Sequence, residues 1–224
     1  MKKLISLGLA LVMCLALMIP ALATEETFDT ENSALVPTIE VEMPASAGVV
    51  LNPYGMTYSD GILGSGGSST SQIISNLFYV TNKTKGAKLK VETKVTGVAA
   101  GNAVLEEDST KVTGTPAKFA ATETANKVLL NLKYNFTATA GAAPTAIGDA
   151  AKTLVVKSSE QDLHSTAIVL PPATDSANSY LYFQFTGVAV EAPETMWSDS
   201  DTVGATFVFT FTATTDAVTT AFTA

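Results

Sequence analysis

The chain has 224 residues, 46% of them hydrophobic, and 13 Lys+Arg against 21 Asp+Glu give a formal charge of −8. No residue is arginine, which argues against nucleic acid and anionic membrane surfaces as partners, because bidentate phosphate and guanine contacts rely on guanidinium. A chain of this size makes one domain burying roughly 70% of its unfolded surface.

Lys2 and Lys3 precede an uncharged apolar run, Leu4–Ile19, and Ala21-Leu22-Ala23 is a small-x-small cleavage site. This order is that of a secretory signal, so residues 1–23 are expected to be removed and the rest secreted, to the extracellular space or the cell surface. The run is short for a membrane span and no stop-transfer pattern follows, so the mature form is not expected to insert into a membrane. Cys14 is the only cysteine and follows Leu11-Val12-Met13 inside the run, without the small residue that lipoprotein processing needs. The mature chain then has no disulfide, and losing two signal lysines takes its charge from −8 to −10.

Residues 24–38 form an acidic arm whose large apolar residues are Phe28, Leu35 and Val36; alone it is a disordered leader. Thr38–Met43 then alternates, with Ile39 and Val41 on one face and Glu40 and Glu42 on the other, between Pro37 and Pro44, as a short edge strand does. Ala47–Leu51 is a second short strand, ended by the turn Asn52-Pro53-Tyr54-Gly55. Ser59–Ser71 is a Gly/Ser loop without the Gly-Lys-Ser/Thr of a phosphate loop.

Gln72–Asn82, apolar on both faces, reads as a central strand. Ala87–Gly97 turns Leu89, Val91 and Val95 inward and Lys88, Lys90, Glu92 and Lys94 outward. The lysines read as a solvated face that discourages edge pairing, or as a site for an acidic polymer. Val98–Thr124 is irregular, with one or two helical turns expected in Pro116–Ala125. Lys127–Ala140 is a long strand, followed by an Ala/Gly/Pro loop over Gly141–Ala151 and shorter strands at Lys152–Lys157 and His164–Leu170. Asn178–Val190 places Leu181, Phe183 and Phe185 inward and Tyr180 and Tyr182 outward.

The last strand, Val203–Ala213, carries the strictest pattern. Val203, Ala205, Phe207, Phe209, Phe211 and Ala213 share one side, whereas a helix would scatter the phenylalanines around its circumference. Residues 214–224 form a Thr/Ala tail with Val218 and Phe222 at uneven spacing. The sum is an all-β chain: a single antiparallel β-sandwich of immunoglobulin-like or jelly-roll type over residues 39–213, with about nine strands.

No motif carries chemistry. His164, the only histidine, stands near Asp162 and Ser165 but without a nucleophile elbow, so it reads as structural and the chain is not expected to be an enzyme. Glu194, Asp199 and Asp201 are calcium candidates, read first as an acidic surface loop, since calcium takes roughly six to eight oxygens. Trp197 either plugs the end of the sandwich or stacks on a glycan with Tyr180 and Tyr182. No cofactor is expected.

The stretches Ile74–Val95 and Thr202–Ala213, behind an N-terminal signal, resemble the TasA/camelysin group of Gram-positive biofilm matrix proteins, which form fibres. The resemblance implies homo-polymers built by donor-strand exchange, an extended N-terminal segment of one subunit completing the sheet of the next. Here Phe28, Leu35, Val36, Ile39 and Val41 would supply the knobs; the competing expectation pairs Ile39–Met43 within its own subunit. The function expected is a structural subunit of a secreted filament or biofilm matrix, and the alternative is an adhesin or carbohydrate-binding module.

Overall fold

The computed structural model describes residues 38–44, 49–59, 69–123, 125–191 and 197–222, and from Ile39 onward these belong to one compact unit. The unit is all-β with several sheets. Its strands are β1 (Val41–Glu42), β2 (Val49–Leu51), β3 (Ile73–Ser75), β4 (Phe78–Asn82), β5 (Lys88–Ala100), β6 (Val104–Leu105) and β7 (Val112–Thr113). They continue as β8 (Lys118–Phe119), β9 (Lys127–Phe136), β10 (Lys152–Val155), β11 (Gln161–Asp162), β12 (Ile168–Leu170), β13 (Ser179–Ala189) and β14 (Thr202–Thr214).

The larger sheet runs β1-β4-β13-β9-β10, with β6 as a short parallel addition to β9. In the second sheet β5 is the middle strand: β11 and β12 pair with one of its edges and β14 with the other, from Thr202 opposite Ala100 to Thr214 opposite Lys88. The apolar sides of both sheets feed one core. Val80, Leu130, Leu132, Leu181 and Phe183 come from the first, and Leu89, Val91, Val95 and Leu170 from the second. Phenylalanine rings join the sheets across it, Phe78 to Phe207 at 5.7 Å and Phe183 to Phe209 at 6.0 Å. This arrangement is compatible with a β-sandwich.

Several expectations change in detail. The expected Gln72–Asn82 strand divides at Asn76-Leu77, where Ser75 Oγ donates to the Asn76 carbonyl and accepts the amide of Phe185. Beyond the last β4–β13 pair, Phe78 with Phe183, β3 is thus joined to β13 through side chains. No helix forms in the described part of Pro116–Ala125. Val112–Thr113 and Lys118–Phe119 make a small hairpin there, after a single 3-10 turn at Ser109–Lys111. The lysine-bearing strand is an interior one, paired on both edges. The expected strand at His164–Leu170 is regular only from Ile168, so His164 lies in the bend before β12.

Candidate functional site

β14 is bonded to β5 along its whole length on one side, and among the described residues no strand pairs with its other side. Among the described residues this thirteen-residue edge is therefore unpaired, and Thr202–Thr214 contains no charge and no proline. Natural edges of this length are normally blunted by lysine, proline or a bulge, because a row of unpaired N–H and C=O groups templates another strand.

The alternation on β14 is as expected, with Val208 53% exposed on the outer side. The inner row, however, is only half-buried at Phe207, Phe209 and Phe211. Phe207 and Phe209 stack at 5.8 Å and 4°, and Phe209 and Phe211 at 6.0 Å and 11°. Phe207 and Phe209 also meet Phe183, yet keep a flank toward a groove between the two sheets. This groove is a cavity of ≈ 540 Å³ with Phe78, Val80 and Phe185 on one wall and Ala205, Phe207 and Phe209 on the other. Beyond Val49 and Val203, which line both, lies a second cavity of ≈ 310 Å³ containing Tyr54, Trp197 and Asp199. On the opposite rim β1 covers only Thr81 and Asn82 of β4. Among the described residues Phe78, Tyr79 and Val80 have no strand partner on that side.

The arm residues Phe28, Leu35 and Val36 lie outside the described residues. Val41 is half-buried on its own core and pairs with Asn82 of the same chain, so for this residue the structure corrects the interface expectation. Ile39 is 40% exposed, beside Glu40, whose carbonyl accepts the Lys83 amide. The cis pairing begins one residue after Ile39.

The glycan contacts expected at Tyr180 and Tyr182 are corrected too, since these residues are 8% and 7% exposed. The loop after β9 folds over the face that they share with Tyr79 and Asn135. Tyr79 donates its hydroxyl to the Pro144 carbonyl at 2.7 Å, and Asn135 donates its side-chain amide to the Ile147 carbonyl at 3.2 Å. Burial pushes the Tyr182 phenol above its ordinary pKa. Trp197 takes the plugging role: it packs on both apolar clusters and donates its indole N–H to the Val190 carbonyl at 3.1 Å.

Of the calcium candidates, Glu194 lies outside the described residues and Asp199 is exposed. Asp201 is 6% exposed and engaged by donors. Oδ1 accepts the Asn102 amide at 2.6 Å, and Oδ2 accepts the Ser198 amide at 2.9 Å and the Asn126 side chain at 3.0 Å. These bonds, first those from the backbone amides of Asn102 and Ser198, hold the carboxyl below its usual range. Its contribution to stability is therefore present above the unfolded carboxylate pKa and is lost as pH falls through the lower folded value. The clamp ties the Gly101–Asn102 turn to the entry of β14. Gly101 has φ +70° there, and an added Cβ would strike the Asp201 carboxylate and the Ser200 carbonyl. No group of three or more metal-ligating side chains occurs among the described residues.

Asp162, His164 and Ser165 do line one cavity of ≈ 210 Å³. Among the described residues no hydrogen bond joins them, and the imidazole sits edge-on to Phe222 at 5.2 Å instead. The β5 lysines are largely neutralised. Lys90 pairs with Glu92 at 2.9 Å, Lys94 pairs with Glu160 at 2.6 Å, and Lys88 is spent on backbone carbonyls of the tail. Comparison of the chain with family models, curated proteins and solved structures returns no match.

Proposed function

We propose that the chain is a secreted structural subunit of a bacterial surface or matrix filament, assembled by donor-strand β-augmentation. Its body would be a single β-sandwich of immunoglobulin-like or jelly-roll type, left one strand short beside β14. The observation that carries this reading is the uncharged, proline-free open edge of β14 above a groove walled by phenylalanines. Main-chain bonds to that edge give affinity, and side chains entering between Phe207, Phe209 and Phe185 give register.

The occupant is the arm, residues 24–38, of a second copy. Its apolar residues Phe28, Leu35 and Val36 are otherwise unexplained in an acidic leader, and its negative charge meets no acid on β14. Fifteen extended residues reach roughly 50 Å, enough to span a neighbouring groove. Because the donor site and the acceptor site are different surfaces, the contact is head-to-tail, and unless its rotation closes a ring it grows into a filament.

Electron microscopy of the chain beginning at Thr24 tests this. Fibres are expected, and a version beginning at Pro37 is expected to remain monomeric. A shortened chain that still polymerises, or a full-length mature chain that stays monomeric, would overturn the reading.

A further inference from the structure

The other long side of the body is built differently. β12 lies on the edge of β5 away from β14, and Val169 turns both of its backbone groups outward from β5. One residue of the C-terminal tail takes them: the Thr219 amide donates to the Val169 carbonyl at 3.0 Å, and Thr219 Oγ1 accepts the Val169 amide at 2.9 Å. Upstream, Lys88 Nζ donates to the carbonyls of Asp216 at 2.7 Å and Thr215 at 3.3 Å, clipping the chain as it leaves β14.

Downstream, the Phe222 ring sits edge-on to Phe136 at 4.9 Å, to Tyr134 at 5.2 Å and to His164 at 5.2 Å. Tyr134 and Phe136 belong to the first sheet, while His164 precedes β12 in the second, so this ring bridges the two sheets. The rest of this side is closed by the chain crossing between sheets. The Val156 amide donates to the Leu130 carbonyl at 2.9 Å, and the Gly97 amide donates to the Lys157 carbonyl at 2.6 Å.

We propose that Thr215–Phe222 is an edge cap acting in cis. It occupies the strand-docking edge of β12 and so keeps that edge from pairing, while among the described residues the outer edge of β14 stays unpaired. All three residues of β12 (Ile168, Val169 and Leu170) are buried and uncharged, so lifting the cap would bare an apolar edge with the free polar groups of Val169 at its centre. The partner for a bared edge is the same edge of a second copy, since an antiparallel β12–β12 contact is self-complementary under two-fold symmetry. The consequence for growth rests on the filament reading: with the cap in place subunits add along one direction, and without it filaments also join sideways. The cap itself does not depend on that reading.

The experiment therefore uses the Ala205→Lys variant, whose added charge blocks the β14 groove. With its tail intact this variant is expected to sediment as a monomer; if it already polymerises, the filament reading fails before the cap is tested. Deleting residues 217–224 in this background is expected to strengthen self-association at least about tenfold, about 1.4 kcal/mol. A synthetic peptide of residues 215–224 is expected to return the protein to monomer. Should the deletion prevent folding, Thr219→Ala with Phe222→Ala, which keeps the chain length, carries the same expectation. A folded, tail-less protein that associates no more strongly than its parent, or whose association ignores the peptide, would overturn the cap. If the Ala205→Lys parent polymerises, the cap is read instead by hydrogen exchange at the Val169 amide. Protection that the tail deletion abolishes supports the cap, and unchanged exchange overturns it.

Discussion

Ala205→Lys is expected to leave the monomer folded and to raise the concentration needed for assembly by about 100-fold or more. Ala205 is half-buried and faces the groove; the space over its neighbour Gly97 is taken by Leu105 and Val156, so the longer side chain has to run along the groove. In the free subunit the groove opens to water, so the lysine stem lies on the phenylalanine row while its ammonium remains solvated. A donor strand in the groove would strip water from that ammonium, and the knobs it lays on the phenylalanine row, Phe28, Leu35 and Val36, carry no counter-charge. Stranding a charge costs several kcal/mol, and every 1.4 kcal/mol is about tenfold in association. Thr210→Lys is the matched control, adding the same charge to the same strand on its exposed face, opposite Glu92. Sedimentation and light scattering of the two variants should diverge; equal assembly would mean that the groove side of β14 takes no strand.

Phe183→Ala should cost about 3–5 kcal/mol in denaturant unfolding and lower the melting temperature by about 10 °C. Phe183 is fully buried at the centre of β13, stacked on Phe78 at 5.2 Å and in contact with Phe207 at 5.6 Å and Phe209 at 6.0 Å. Both sheets meet on this ring, and the neighbours are held by their strands, so the void left behind does not collapse. Phe211→Ala, at the half-buried end of the row, should cost only about 1 kcal/mol, because solvent already reaches that ring. A reversal of the two magnitudes would mean that the core lies along β14 rather than along β13.

The strand periodicity was legible where one face is wet. β14 and β5 show it residue by residue, since Thr and Lys mark the outer rows. What periodicity cannot express is whether a strand's second edge is paired, so the open side of β14 and the interior place of β5 emerge only from the register. Tyr180 and Tyr182 illustrate a second limit. A tyrosine tolerates water or a covering loop equally, and the alternation beside Phe183 is the same in both cases; the cover comes from residues 141–150, about forty residues earlier in the chain.

Asp201 looked like part of an acidic loop because its partners, Asn102 and Asn126, are distant in sequence. The docked tail was missed for a related reason. Thr219 and Phe222 act singly, one through a pair of hydrogen bonds and the other through three rings, and neither leaves a repeat. Trp197 was legible only as a choice between a plug and a glycan contact, and its packing on both apolar clusters and its bond to the Val190 carbonyl emerge from the fold alone.

Hydrogen exchange along Thr202–Thr214, compared between assembled protein and the monomer beginning at Pro37, tests the central claim most directly. In the monomer the amides bonded to β5 should be protected, and those on the open edge should exchange at the rate of exposed backbone. Assembly is predicted to slow that second set by about 100-fold or more, as expected for main-chain groups taken into a new ladder. Fibres in which those amides exchange as fast as in the monomer would show that subunits meet somewhere other than β14.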